Sequence, residues 1–144
     1  MVTYPALFDL DRKTGGFVVT FPDFHYGVTQ GETLAEAMDM AQDLLAGLIS
    51  DRIEKGDELP AAGRPRGRNY RLVALPALQS VKVELYRAFR ASGYRKAEFA
   101  RRIGIAKTNV ERLFDLGHQS RLDQLEAAFG VLNKRMLIDI RDAA

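Results

Sequence analysis

Near its midpoint this chain changes the period of its apolar residues, and no other feature restricts its fold as much. Val2, Tyr4, Ala6, Phe8 and Leu10 occupy alternate positions, and Phe17, Val19 and Phe21 repeat the pattern. Successive side chains of a strand point to opposite faces, so this alternation predicts strands with one buried side. From Val81 onward the spacing becomes helical, as Val81, Leu85, Ala88 and Phe89 illustrate. A small sheet followed by a helical unit is an α+β fold.

The punctuation between the apolar runs supplies the detail. Asp11 to Gly16 has hairpin-turn chemistry, and Pro22 ends the second strand because it cannot donate to a ladder. A short third strand is expected over Gly27 to Gln30. Thr33-Leu34-Ala35-Glu36 is a capping box, which satisfies the exposed N–H groups of a helix start. Leu34, Ala37, Met38, Ala41, Leu44, Leu45, Leu48 and Ile49 follow at helical spacing, and Gly56 closes that helix. Residues 59–68 read as loop, and Tyr70 to Leu75 as a fourth strand returning to the sheet. The first unit, residues 1–77, is therefore β-β-β-α-β, with a linker expected around Pro76 to Ser80. The second, residues 78–144, holds four helices: one around Val81 to Phe89, then Ala97 to Ile103, Lys107 to Asp115 and Leu122 to Phe129. Ser120 is the expected N-cap of the last.

Charge divides the chain in a similar place. Met1 to Leu59 carries eleven acidic and four basic residues, whereas Pro60 to Ala144 carries eight acidic and seventeen basic. Such asymmetry predicts different partners, the basic part being drawn to polyanions. The chain has no cysteine, hence no disulfide and no thiolate site. It has no apolar run of membrane-spanning length and no secretion-signal pattern at Met1. The expectation is a cytoplasmic protein without a membrane partner.

The residues from Ala97 to Leu113 carry the most specific pattern. A helix-turn-helix needs a small residue where its helices cross, here Ala100, and a residue tolerant of positive φ in its turn, here Gly104. Ile105, Val110 and Leu113 turn inward, which leaves Lys107, Thr108, Glu111 and Arg112 facing outward. Lys107, Thr108 and neighbouring Asn109 lie at the helix end that meets base edges in a major groove, and Arg112 is one turn on. Arg95, Lys96, Gln119, Ser120 and Arg121 occupy flanking positions suited to phosphates. The pattern resembles the Cro/repressor class of helix-turn-helix domains from Val81 to Leu132. It departs from that class at Phe114, where glutamate is frequent.

A second resemblance lies in the first half. Gly16-Phe17-Val18-Val19-Thr20-Phe21-Pro22-Asp23, then Thr29-Gln30-Gly31, then Thr33 and Glu36-Ala37, is similar to the HicB antitoxin signature. It departs at His25-Tyr26-Gly27, where many relatives have Pro-Gly-Cys. The resemblance implies a degenerate RNase H-like fold that covers the active site of a HicA toxin, a small basic RNA-cleaving protein. It implies toxin contacts around Asp23, Phe24, His25, Tyr26 and Glu32. One branch of the family carries a helix-turn-helix domain, another a ribbon-helix-helix domain. An acidic surface suits a basic toxin, because complementary fields orient encounter.

RNase H-like ancestry raises the question of nuclease activity. Asp9, Asp11, Asp23 and Glu32 are the available carboxylates, and their placement does not predict a converging metal site. His25 and His118 lie far apart in sequence, in different units, and read as loop residues. The expected function is therefore that of an antitoxin and operon repressor with no catalytic residues, metal or cofactor. A repressor whose acidic unit binds a ligand or another protein is the alternative, and an enzyme the third reading. The tail after Leu132 alternates at Met136, Ile138 and Ile140, which predicts a strand pairing with that of a second copy. Repressors of this class read two half-sites, so a dimer or higher even oligomer is expected.

Overall fold

The computed structural model describes residues 1–143. Strands β1 (Thr3–Leu10), β2 (Phe17–Thr20), β3 (Val28–Gly31) and β4 (Tyr70–Ala74) form one antiparallel sheet in the order β3-β2-β1-β4. Register follows the alternation: Phe8 lies opposite Val19, and Tyr4 opposite Val73. Val2, Tyr4, Ala6, Phe8, Val19 and Val73 are buried on one face, beneath helix α1 (Leu34–Glu54). Leu10 departs from expectation and is 55% exposed, since it ends its strand on the ladder rung closing the hairpin.

Local chemistry sets the ends of α1. The Thr33 hydroxyl accepts from the Glu36 amide at 3.1 Å, and the Glu36 carboxylate accepts from the Glu32 amide at 2.9 Å. The reciprocal bond thus reaches one residue further back than in the usual capping box. At the other end the Gly56 amide donates to Ile53 and the Asp57 amide to Arg52, a Schellman closure that uses positive φ at Gly56. Gly31 meets a different demand. A Cβ there would lie 2.4 Å from the Ala37 amide nitrogen, so only glycine lets β3 run this close to the start of α1.

The expected linker is absent. Pro76 caps helix α2 (Ala77–Ser92), which begins in the turn right after β4. Ser80 is buried; its hydroxyl accepts from the Val2 amide at 3.0 Å and donates to the Leu75 carbonyl at 3.1 Å. Further along α2, Tyr86 donates to the Asp57 carbonyl, and Arg87 donates to the hydroxyl of Tyr4. One buried cluster therefore runs from the sheet through Val83 and Leu85 into the later helices. These are α3 (Lys96–Ile103), α4 (Lys107–Phe114) and α5 (Leu122–Val131).

Beyond α5 the single chain forms no strand among the described residues. Met136 packs against the core, while Leu137, Ile138 and Ile140 are exposed. A solitary strand has no partner for its backbone, so alternation alone cannot produce one here.

Candidate functional site

Helices α3 and α4 are joined by Gly104-Ile105-Ala106, with Gly104 at φ 87°. The amides of Gly104 and Ile105 both donate to the Ala100 carbonyl, which ends α3 and turns the chain sharply. Ala100 is buried as the crossing requires, and Val110 and Leu113 face inward. Phe114 explains the departure from the repressor pattern. It packs on Phe89 with ring centres 5.1 Å apart and on Tyr86 at 5.5 Å, filling the space between α2 and α4.

Lys107, Thr108, Glu111 and Arg112 are exposed on α4. Asn109 is half-buried, in a hollow of about 370 Å³ shared with Arg112, His118, Ser120 and Gln124. Of the flanking residues, Arg95, Gln119 and Arg121 are exposed. Lys96 is paired with Glu111 at 2.8 Å, which ties the start of α3 to α4. Ser120 does not cap α5, whose N-cap is Arg121 without a side-chain bond; the Ser120 hydroxyl instead turns toward the Arg112 carbonyl at 3.4 Å. Sequence reasoning overlooked Lys82 of α2, whose ammonium lies beneath α4 and donates to the carbonyls of Arg112 in its last turn and of Asp115, its C-cap. Its spacing from Leu85, Tyr86 and Phe89 puts a lysine on the buried stripe of α2, and that signal was legible.

The sheet end of the molecule carries a second concavity. Pro22–Phe24 form a 3-10 turn after β2, and His25 follows at φ 62°. Phe24 is a correction to expectation: it is 1% exposed, its ring 5.0 Å from that of Tyr4, so it supports the turn and offers a partner nothing. Asp23, His25 and Tyr26 do converge, on a cleft of about 660 Å³. Asp23 accepts from the Gly63 amide at 3.0 Å, which folds the 59–68 loop back over the turn. Tyr26 donates to Asp51 at 2.8 Å, and Lys55 binds the same carboxylate at 3.0 Å. Those two bonds, Lys55 first, hold Asp51 below the usual carboxylate range. Glu32 is exposed past the far end of β3 and does not line this cleft.

The opposite wall holds residues the sequence had not singled out. Arg64, Arg66 and Tyr70 line the cleft alongside Asp23 and His25. Arg64, Arg66, Arg68 and Arg71 all belong to the loop and strand of the sheet, although counting charge from Pro60 assigns them to the basic part. The cleft is thus of mixed charge, and the acidic character lies mainly elsewhere on that half. Among the described residues no three of His, Asp and Glu are grouped as a metal site requires. No helix there is long and apolar enough to cross a membrane.

The family model described as HicB-like antitoxin of bacterial toxin-antitoxin systems matches residues 3–84, more than half of the chain. This chain belongs to that family. Its curated relatives extend the likeness beyond the family model. Antitoxin HicB of Escherichia coli K12 is 35% identical over 122 residues, covering 85% of this chain and 88% of its own length. Antitoxin HicB 1 of Photorhabdus laumondii is 33% identical over 128 residues, covering 89% and 81% respectively. A solved toxin–antitoxin complex from Streptococcus pneumoniae aligns with 76% of this chain and 93% of its own, at 24% identity and a TM-score of 0.45, too slight a likeness to argue from. The relatives are named as antitoxins, a regulatory class rather than a catalytic one. The match to residues 3–84 ends inside α2, the helix that the sheet half already holds by its Ser80 hydroxyl.

Proposed function

We propose that this antitoxin neutralises a HicA-type, mRNA-cleaving toxin by direct binding, and that its C-terminal helices bind operator DNA and repress the operon encoding both. The observation that carries the reading is membership of the HicB-like antitoxin family, with antitoxin relatives that span most of the chain. Asp23, His25 and Tyr26 at the sheet cleft are the proposed toxin contacts, with Glu32 on a separate surface. Lys107, Thr108, Asn109 and Arg112 are the proposed base-reading residues, flanked by Arg95, Lys96, Gln119, Ser120 and Arg121 toward phosphate. The protein acts in the cytoplasm without cofactor or catalysis of its own. Two copies bind two half-sites, and the exposed Ile138 and Ile140 pair with their counterparts about a two-fold axis.

Two measurements on the full-length chain test this. Co-expression with the small basic protein encoded beside it should restore growth and give a complex that co-purifies. Titration with a duplex from upstream of its own reading frame should show binding well above that to a scrambled duplex. Loss of growth despite soluble antitoxin rejects the first half of the reading, and equal binding to both duplexes rejects the second. Removal of residues 134–144 should leave a monomer with weakened operator binding; a variant that stays dimeric rejects tail pairing.

A further inference from the structure

Among the described residues Lys82 is the one charged side chain that is fully buried. Its ammonium donates to the Arg112 carbonyl at 2.8 Å and to the Asp115 carbonyl at 2.7 Å. Arg112 is in the last turn of α4 and Asp115 is its C-cap, where carbonyls have no partner within the helix. They are otherwise reached only from the loop beyond, by the Ser120 hydroxyl and the His118 amide respectively. The Glu111 carbonyl is already taken by the Asp115 amide, so Lys82 supplies what the helix itself cannot. A cation at this end is also aligned with the helix dipole.

The surroundings make a lysine a costly choice for packing alone. Burial disfavours its charged form and lowers its pKa from the usual lysine range, with Asp115 opposing the shift. An apolar chain of similar length would fill the space without that desolvation. Beside it, Tyr86 and Phe89 of α2 pack against Phe114 of α4. Rings in edge-to-face and tilted contact hold the two helices together, with rotation and axial slide left for directional bonds to specify. Two directional bonds from one ammonium specify both. They also anchor the backbone of Arg112 itself, the point from which its exposed guanidinium extends.

We infer that Lys82 is a positioning residue for operator recognition, a buried clasp that sets the depth and rotation at which α4 is presented to DNA. The inference rests on the DNA-binding reading above and names a determinant of specificity within it. Lys82 touches no base or phosphate; it acts through the backbone of Arg112 and Asp115.

The test uses the full-length chain carrying Lys82→Met, with Lys82→Gln beside it as a shorter side chain that still donates. The probes are a duplex from upstream of the chain's own reading frame and a scrambled duplex of equal length. Lys82→Met should bind the upstream duplex about tenfold more weakly, roughly the worth of one good base contact. Binding to the scrambled duplex and to the toxin should stay within about twofold, because surface charge and the sheet cleft are untouched. Lys82→Gln should recover part of the lost discrimination. A merely structural lysine would lower both DNA affinities and the melting temperature together, and that result overturns the inference. So does wild-type discrimination by a folded Lys82→Met or, where that variant does not fold, by Lys82→Gln. Failure of the wild type to prefer the upstream duplex overturns the DNA-binding reading itself, and is told apart because it needs no variant.

Discussion

The sheet half and the helical half solve the same problem, holding a proposed recognition surface steady, by opposite means. Around the cleft, long-range backbone pairing does the work: β1 is flanked by β2 and by β4, which arrives some sixty residues later. Around α4 the elements are two helices of eight residues each, too short to be stable alone, and side chains from α2 hold them. The difference teaches that the first surface rests chiefly on backbone pairing, with the Asp23 carboxylate tying the loop back to it, whereas the second depends on a few buried side chains.

Substitutions in each half can break that contrast. The largest effect is expected for Gly31→Ala, whose new Cβ would meet backbone atoms of Ala37 and Glu36 that cannot step aside. It should cost about 3 kcal/mol by overpacking and abolish toxin binding, read by chemical denaturation and co-purification. A stability unchanged within error would remove the argument from close approach. Next, Arg112→Ala should weaken operator binding by about 1–3 kcal/mol and relax specificity while toxin neutralisation persists. Equal losses on operator and scrambled duplexes would reduce Arg112 to a phosphate contact.

Ser80→Ala sharpens the comparison, because it sits where the halves meet. Losing its hydroxyl leaves the Val2 amide and Leu75 carbonyl without their partner, at about 1–2 kcal/mol. The expected result is one cooperative transition at lower denaturant; two separate transitions would mean that the halves unfold independently. The smallest effect belongs to Thr33→Ala, about 1 kcal/mol for a lost N-cap, with no change in DNA affinity. A larger loss would show that the start of α1 also shapes the cleft.

What was legible in the sequence is what local chemistry decides. Thr33 and Glu36, Gly56, and the Ala100 and Gly104 pair each announce a helix end or crossing within a few residues, and each is found in place. Expectation failed where a distant segment intervenes. Phe24 looked available for contact until Tyr4 and Phe21 closed over it. Ser80 looked like linker, because nothing nearby reveals that the Val2 amide will seek its hydroxyl. The Arg64 and Arg66 wall needed the 59–68 loop to fold back to Asp23, a bond spanning forty residues. Lys82 is different, since its position on the apolar stripe of α2 already set it apart.

The unbroken passage from β4 into α2 bears on how such proteins can be recombined. Replacing the helices that follow the sheet needs a seam somewhere along this passage. Cutting at Leu75 would strip the sheet of the Ser80 hydroxyl, the Tyr86 bond to Asp57 and the Arg87 bond to Tyr4 in one stroke. Cutting at Gly93, which ends α2 in a left-handed turn, keeps all three with the sheet half. A chimera joined there inherits a finished hydrophobic floor, and an incoming module has to match only the far face of one helix.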